Sequence, residues 1–377
     1  MKSTLPIGKL PIDLLANTIS DMPLLDPRII LGPGIGLDCA VIDIGDKYLV
    51  LKSDPITFAT EDIGWYAVQI NANDIVTTGA DPYWFISTLL LPAKQTNQAL
   101  VEKITKQISA ACTQIGVSVI GGHTEITHNL DRPILVGTMI GEVPHDRLIT
   151  PLGAVAEDRI LLSKGVPIEA TSILAREFSN ELLNYQTSQS DLNLDDIELA
   201  QGFLHHPGIS VLQEAKIAAN SSEVHAMHDA TEGGLYTALW ELAAASGLSL
   251  WAEPTSVYIP SVSRRICQKL GIDPLGAIAS GALLIVAPAG SSHKIQQEIN
   301  SAGIHCSEIG HVLGKPSNNK TLQALYESVN DGVVISEKLN HKGSEDNLNP
   351  AVFYQSNNGP QFLPHPERDE NTKLFEE

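Results

Sequence analysis

A carboxylate on the apolar face of a predicted helix is the feature that most restricts how this chain can fold. Residues 61–78 carry a face whose members recur at offsets of four and three, namely Ile63, Ala67, Ile70, Asp74 and Thr77. Burying an isolated carboxylate costs several kcal/mol unless a cation or hydrogen-bond donors compensate it. The fold around Asp74 must therefore supply one or the other.

Two further aspartates have similar surroundings. Asp38 lies in GPGIGLDCAVI and Asp54 in LVLKSDPITF, where the neighbours are apolar or turn-forming. The apolar runs 39–44 and 47–52 predict a β-hairpin, with Asp54 and Pro55 ending its second strand. Three carboxylates in such settings indicate a shared cation, and Mg²⁺ that carries the phosphates of a nucleotide fits best.

Each motif around these aspartates has a second interpretation. Gly34 and Gly36 let backbone N–H groups approach an anion, or they form a turn that enters a strand. Asp54 is a metal ligand or an Asp-Pro turn initiator. Lys52 lies on the same strand face as Asp54 and either contacts a phosphate or is an ordinary strand-edge lysine.

Polar residues also cluster beside Asp74 and after a later strand. Asn71 and Asn73 are poor helix formers, so they supply metal or hydroxyl ligands or belong to a buried polar network. GGHTEIT follows a strand predicted at 117–120. Gly121 and Gly122 open space at the end of that strand, and Glu125 is a further candidate ligand.

The second half of the chain contains one comparable motif, MHDATEGGL at 227–235. Asp229 or Thr231 is predicted to cap a helix at 234–246, and Gly233 and Gly234 leave backbone N–H groups bare at its positive end. The motif therefore predicts a site for a phosphate or an acceptor substrate. A capped helix without a ligand is the alternative.

Length and element order predict the architecture. A chain of 377 residues exceeds one ordinary core. Strands alternating with helices favour an α+β fold with a mixed or antiparallel sheet. We expect an N-terminal domain at 1–152, a C-terminal α+β domain at 153–320, and a partly disordered extension at 321–377.

Composition excludes several classes of protein. The net charge of -20 opposes broad binding to nucleic acid or anionic membranes. The sequence has no apolar run long enough to span a bilayer and no signal-peptide pattern, so a cytoplasmic protein is predicted. Its four cysteines are scattered without a CxxC pair, which indicates free thiols rather than disulfides or zinc ligands.

The motifs together resemble the aminoimidazole ribonucleotide synthetase family. The resemblance covers about residues 8–312 through LDCAVI, KSDPITF, NANDIVTTGADP, GGHTEI, HDATEGGL and SGALLIV. GKLP near the start and HDATEGGLYTALWELA are similar to the hydrogenase-maturation branch of that family.

The resemblance implies a fold and an activity. It implies an N-terminal sheet that forms a dimeric barrel, a C-terminal α+β sandwich and a homodimer. ATP would be held through Mg²⁺ by Asp38, Asp54, Asp74 and Glu125. The shared chemistry is phosphoryl transfer, commonly to an amide or carbonyl oxygen, on a small-molecule or protein-borne acceptor. No catalytic side chain is assigned.

Two departures from the family pattern refine this prediction. Leu37 stands beside Asp38 where the family pairs two acids, and the last cysteine is Cys306, whereas the hydrogenase-maturation branch carries its substrate on a C-terminal cysteine. We therefore predict an ATP- and Mg²⁺-dependent phosphotransfer enzyme with a different acceptor. The alternative is a non-catalytic regulatory or scaffold protein that binds ATP with the same fold.

Overall fold

The computed structural model describes residues 5, 8–57, 61–183, 192–221, 223–315, 320–329, 349–365 and 368–375. The chain divides into two units. The smaller unit contains Leu24–Pro33 and Asp38–Leu148. The larger unit contains helix α1 (Ile12–Ser20), the turn Gly34–Leu37 and the chain from Ile149 onward, so parts of the predicted N-terminal domain group with the second half.

The smaller unit is a mixed sheet with two helices. Its strands are β1 (Ile29–Leu31), β2 (Ala40–Asp43), β3 (Tyr48–Ile56), β4 (Asp81–Pro92), β5 (Ser118–Thr127) and β6 (Ile134–Val143), and its helices are α2 (Ile63–Thr77) and α3 (Gln98–Ile115). The strand order is β1-β2-β3-β6-β4-β5, with β4 and β5 parallel and the other pairs antiparallel. Within the described residues of this chain, the sheet does not close into a barrel.

Glycines in β6 let α2 pack very close to the sheet. A Cβ atom at Gly137 would lie 2.6 Å from Asn71 Nδ2, and one at Gly141 would lie 2.5 Å from Ile75 Cγ2. Helix α2 is buried along most of its length because α3 covers its other side. The polar residues of α2 are therefore brought against the backbone of the sheet instead of facing water.

Local sequence signals fix both ends of α3. The Asn97 side chain accepts a hydrogen bond from the Leu100 N–H at 2.9 Å, which satisfies a free donor of the first turn. Gly116 ends the helix in the left-handed conformation with φ 74°. These signals explain why the helix begins and ends at these residues.

The larger unit is built on a second sheet. Its strands are β7 (Arg159–Ser163), β8 (Ala226–Ala230), β9 (Ser249–Ala252), β10 (Ala282–Ala287), β11 (Cys306–Gly314), β12 (Val352–Ser356) and β13 (Gly359–Phe362). Its remaining helices are α4 (Ile168–Glu177), α5 (Ser179–Leu183), α6 (Leu194–Gln201), α7 (Leu212–Ser221), α8 (Gly234–Ser246), α9 (Ser261–Leu270), α10 (Ala289–Ser301) and α11 (Lys320–Val329). The strand order is β13-β12-β9-β11-β7-β10-β8.

Sheet pairing in this unit is antiparallel except between β12 and β9. A core of aliphatic side chains lies between the sheet and α8, and Leu242, Leu284 and Val312 are completely buried there. The two-domain α+β class predicted from the sequence is thus confirmed. Among the described residues, no helix combines the length and the apolar character that crossing a bilayer requires.

Two strand ends differ from the prediction. Strand β3 continues through Asp54 and Pro55, which pair with Gly137 and Val136 of β6, so Asp54 does not project beyond the sheet. Strand β5 continues through GGHTEIT instead of ending at residue 120. In both places, pairing with a neighbouring strand overrides the local turn signals.

The C-terminal extension contributes ordered elements. Helix α11, strands β12 and β13, and a short helix at Glu370–Leu374 all fall within 321–377 or at its border. Strand β12 extends the larger sheet by pairing with β9. The part of the disorder prediction that falls on residues 330–348 lies outside the described residues.

We expect Gly64→Ala to destabilise the protein because α2 and α3 meet at this residue. A Cβ atom there would lie 2.8 Å from the Ile104 carbonyl oxygen and 2.9 Å from the Ile108 nitrogen. Overpacking of this kind costs about 1–3 kcal/mol in free energy of unfolding, measured by chemical denaturation. Gly290→Ala is the control, since a Cβ atom there meets nothing within 4 Å. Equal stability of the two variants would contradict the close packing.

Candidate functional site

In the smaller unit, three aspartates surround one lysine. Lys52 Nζ lies 3.1 Å from Asp74 Oδ2, 3.3 Å from Asp54 Oδ2 and 3.8 Å from Asp38 Oδ1. The Lys52 side chain is 12% exposed and that of Asp74 is 3% exposed, whereas those of Asp38 and Asp54 are 27% and 37% exposed, so the cluster is buried on the Asp74 side and open to water on the other. The three aspartates that the sequence singled out do converge, and the lysine between them is central and not a strand-edge residue.

Two opposing effects act on the pKa of Lys52. Burial alone would lower the pKa of its ammonium group. The carboxylates of Asp74, Asp38 and Asp54 together outweigh burial and hold the pKa of Lys52 well above its usual value. Lys52 is therefore a permanent cation that compensates the buried charge of Asp74.

Asn71 fixes the strand that carries Asp54. The Asp54 N–H donates to Asn71 Oδ1 at 2.9 Å, and Asn71 Nδ2 donates to the Ala67 carbonyl at 2.8 Å and the Asp54 carbonyl at 3.4 Å. One amide side chain thus bridges α2 and β3. Asn71, predicted as a ligand residue, is observed as a residue that positions Asp54, and Asn73 is completely buried in the same helix.

The backbone carbonyl of Asp74 accepts hydrogen bonds, and its carboxylate forms an ion pair with Lys52. Its carbonyl oxygen accepts hydrogen bonds from Thr77 Oγ1 at 2.7 Å and from Cys39 Sγ at 3.2 Å. Carboxylate oxygens of Asp38 and Asp74 lie within 4.8 Å of each other. A set of carboxylate oxygens at this separation is the donor chemistry that Mg²⁺ prefers, so these residues fit that ion.

The other predicted ligand in the smaller unit lies apart from this cluster. Glu125 is in β5, and strands β6 and β4 lie between β5 and β3. At ordinary strand spacing, β5 and β3 are therefore roughly 14 Å apart. Its side chain is 54% exposed and lies 3.5 Å from His123. Gly121 and Gly122 belong to the same exposed strand, so the structure does not bring this motif to the three aspartates of the chain.

Close packing accounts for the glycines before Asp38. Gly36 has φ +69°, and a Cβ atom there would lie 2.4 Å from the Glu241 carbonyl oxygen of α8. At Gly34, a Cβ atom would lie 2.5 Å from Leu37 Cδ1. The turn interpretation of this motif is therefore sufficient, and phosphate binding by these glycines stays a prediction.

The HDATEGG motif occupies the end of β8 and the start of α8. Asp229 is a buried strand residue, and the residue before the helix is Gly233, with φ 75° and no side-chain cap. The prediction that Asp229 or Thr231 caps α8 is therefore wrong, because β8 extends through Asp229 and the tight Thr231–Gly234 turn, closed by a 3.0 Å backbone hydrogen bond, begins the helix.

A residue that sequence reasoning missed completes this loop. The Gly233 N–H donates to Asp369 Oδ2 at 2.8 Å, so a carboxylate from the C-terminal segment takes the N–H predicted to bind an anion. The two residues are 136 positions apart. No local pattern in the polar C-terminal sequence could have indicated this contact.

Comparison with known proteins gives the family. The model of the N-terminal domain of AIR synthase related protein matches residues 36–143, and the model of its C-terminal domain matches residues 155–322. This chain belongs to the AIR synthase related protein family. It is 30% identical over 314 residues to a Methanocaldococcus jannaschii protein named as a hydrogenase expression/formation protein, covering 80% of this chain and 84% of that protein.

Family members of known name and structure agree with this assignment. The carbamoyl dehydratase HypE of Cupriavidus necator is 25% identical over 284 residues, covering 74% of this chain and 71% of that protein. HypE in complex with ATP shares the fold, with a TM-score of 0.63 at 21% identity over 93% of this chain and 90% of that chain. A HypE–HypF complex gives a TM-score of 0.61 at 18% identity, covering 86% and 93%.

We expect Lys52→Gln to destabilise the protein strongly because it leaves three carboxylates without their cation. The free energy of unfolding should fall by roughly 3 kcal/mol, as for other broken buried ion pairs. The double variant Lys52→Gln/Asp74→Asn should lose less than the sum of the single variants by about 1–2 kcal/mol. Chemical denaturation of the four proteins measures this coupling.

Lys47→Gln is the matched control for charge removal in the same hairpin. Lys47 pairs with Glu142 at 2.8 Å, but its side chain is 36% exposed, so its loss should cost less than about 1 kcal/mol. Strict additivity of the Lys52 and Asp74 variants would show that the two side chains do not interact in solution.

Proposed function

We propose that this protein is an ATP- and Mg²⁺-dependent phosphotransfer enzyme that activates an amide, carbonyl or phosphate acceptor. The observation that carries the proposal is the convergence of Asp38, Asp54 and Asp74 on one cation, Lys52. Membership of the AIR synthase related family and the fold shared with a HypE–ATP complex support it.

The aspartates of the smaller unit would hold Mg²⁺, with Lys52 beside the phosphates. Bound Mg²⁺ would neutralise the charge on the phosphate oxygens and orient them. Lys52 would contribute a fixed positive charge, since its pKa stays well above neutrality. Asn71 would keep Asp54 in place through its hydrogen bonds to the Asp54 backbone. Catalysis by such a site depends on positioning and electrostatics rather than on a nucleophilic side chain.

The acceptor is proposed to be separate from the cysteines of this sequence. All four cysteines are buried. Burial raises the pKa of Cys112 to about 11 and the pKa values of Cys267 and Cys306 to about 12, so little thiolate exists near neutral pH. The thiol of Cys39 donates to the Asp74 carbonyl. A small molecule or a group carried by a partner protein is therefore the proposed acceptor.

A second candidate function is ATP binding without turnover, in a regulatory or scaffold role. Lys52 pairs with all three carboxylates, so each of them has a cationic partner without a metal ion, although one ammonium group neutralises only one of the three charges. A divalent cation would have to compete with this ammonium group for the same oxygens. Measurement of both binding and hydrolysis separates the two candidates.

Asp74→Asn should weaken binding of Mg-ATP at least tenfold because it removes a ligand charge while keeping the shape of the side chain. For the wild type, ligand at about 100 times Kd should stabilise the folded state by about 2.7 kcal/mol, seen as a rise in Tm. The same proteins are assayed for phosphate release with a panel of amide, amine and carboxylate acceptors.

Asp46→Asn is the control, since Asp46 lies in the exposed turn between β2 and β3. It should leave both the Tm shift and phosphate release unchanged. A Tm shift without phosphate release for any acceptor would favour the regulatory role. Absence of a Tm shift with ATP or ADP in the wild type would contradict both candidate functions.

We propose that the protein is a homodimer joined through β5. Among the residues that the structure describes, this strand lies at the edge of the sheet and pairs with β4 alone, and Val119, Ile120 and Ile126 are about half exposed. No other described strand pairs with the outer side of its ten residues. An exposed edge strand can pair with another chain, and β5 is proposed to do so although it has a register shift at Ile120 and carries the charged residue Glu125.

Ile120→Lys should convert the protein to a monomer because a charge in the pairing strand opposes edge-to-edge association. Light scattering at micromolar concentration should show a dimer for the wild type and a shift toward half that mass for the variant. Ile30→Lys is the control, since Ile30 lies in β1 at the opposite edge of the same sheet and is 46% exposed. A monomeric wild type, or equal masses for both variants, would contradict an interface at β5.

A further inference from the structure

The start of α8 presents bare backbone within the larger unit. Gly233 and Gly234 lie at the start of this helix, with φ 75° and 62°. A Cβ atom at Gly233 would clash with the Thr237 hydroxyl, and one at Gly234 would lie 2.5 Å from the Leu275 carbonyl oxygen and 2.6 Å from that of Ala277. Both positions therefore require glycine, and neither residue has a side chain that could cover the Gly233 N–H at the positive end of this 13-residue helix.

A carboxylate occupies this position. The Gly233 N–H donates to Asp369 Oδ2 at 2.8 Å, and the Asn371 N–H donates to Asp369 Oδ1 at 2.9 Å. The N–H of Gly234 is used within the loop, since it donates to the Thr231 carbonyl at 3.0 Å. The loop thus holds an oxyanion through the Gly233 N–H, as the starts of helices commonly do.

The C-terminal segment 368–375, here called the strap, carries this carboxylate. The Glu370 N–H donates to the Gly276 carbonyl at 3.2 Å, and the Phe375 ring, on a residue that is 53% exposed, lies 5.4 Å from the Phe178 ring. Among the described residues, the aliphatic core between the sheet and α8 includes none from the strap. Release of the strap would therefore leave that core intact.

Docking of the strap has a cost in free energy. Asn371 is 6% exposed, and its Oδ1 atom has no hydrogen-bond partner within the described part of the chain. A buried acceptor left unpaired lowers the stability of the docked state, and release into water recovers that loss. Glu232, which precedes Gly233, has the same charge as Asp369, and it opposes the strap and an anionic ligand alike. The strap is therefore a contact that a ligand can displace.

We propose that the strap is an autoinhibitory segment that occupies an oxyanion-binding site. The Gly233 loop binds the carboxylate or phosphate group of a ligand, and Asp369 takes the place of that group while the strap is docked. Ligand and strap use the same N–H, so binding of one excludes the other. The site lies within the larger unit, and the inference does not depend on the proposed reaction with ATP.

Titration of the full chain with inorganic phosphate and, separately, with acetate tests the site. The sequence contains a single Glu-Gly pair, Glu232 and Gly233, so labelling with ¹³C-carbonyl glutamate and ¹⁵N-glycine selects the NMR signal of the Gly233 amide. That signal should shift saturably with the oxyanion that the loop binds. Saturation by phosphate alone assigns a phosphate ligand, saturation by acetate alone assigns a carboxylate ligand, and saturation by both assigns a site for either group.

Asp369→Asn should raise the affinity for that oxyanion about fivefold. Its amide oxygen keeps the shape of the carboxylate but is a weaker acceptor for the Gly233 N–H, so the strap competes less well with the ligand. Hydrogen exchange of a peptide that covers the strap should be faster in this variant than in the wild type. In the wild type, the same exchange should become faster as the oxyanion saturates the site.

Phe375→Ala tests the strap without a change of charge. It removes the ring contact with Phe178 but leaves Asp369 in place, so it should speed exchange of the strap and raise the oxyanion affinity about threefold. Glu370→Gln is the matched control, since it removes a neighbouring negative charge of the strap and keeps Asp369. It should change the affinity less than twofold. Thermal unfolding checks that each variant is folded.

Three results would overturn the autoinhibitory contact. If neither phosphate nor acetate shifts the Gly233 signal in folded Asp369→Asn, the loop binds no oxyanion. If exchange of the strap in the wild type is the same with and without a saturating oxyanion, the strap and the ligand do not compete. Equal gains in affinity for Asp369→Asn and Glu370→Gln would assign the effect to general charge on the strap instead of to occupancy of the Gly233 N–H.

Discussion

The ion-pair cluster around Lys52 is the interaction on which the smaller unit depends. Three carboxylates share one ammonium group, and the most deeply buried of them, Asp74, has its ion-pair partner at 3.1 Å. Lys52 and Asp74 depend on each other, since a lone buried charge of either sign would carry a large desolvation cost. The same arrangement that compensates Asp74 also gathers the oxygen ligands that a divalent cation requires.

The cluster exists because α2 packs on the sheet at very short range. Gly137 and Gly141 remove the side chains that would hold the helix away from β6, and Asn71 then reaches the backbone of β3 at Asp54. A larger residue at either glycine would move the helix and with it Asp74. The position of the polar cluster is thus set by the small glycine residues of β6, which are far from Asp74 in the sequence.

Buried carboxylates of the larger unit are stabilised in a different way from those around Lys52. At the Gly233 loop, the Asp369 carboxylate accepts a hydrogen bond from the Gly233 N–H, and burial raises the pKa of Asp369 to about 6 and that of Glu169 to about 7. In the first cluster, the Lys52 ammonium group stays charged near neutral pH because its pKa lies well above the usual value.

Sequence patterns alone indicated the α+β class and singled out Asp38, Asp54 and Asp74 as carboxylates that need a shared cation, because period and local polarity carry that information. Tertiary structure decided that β3 and β5 continue through KSDP and GGHTEI, since cross-strand pairing outweighs turn propensity there. It also decided that Lys52 is central, that Gly36 packs on α8, and that Asp369 meets Gly233. Contacts of this kind join residues that are far apart in the chain. A local sequence pattern does not specify which distant residue will pack against it.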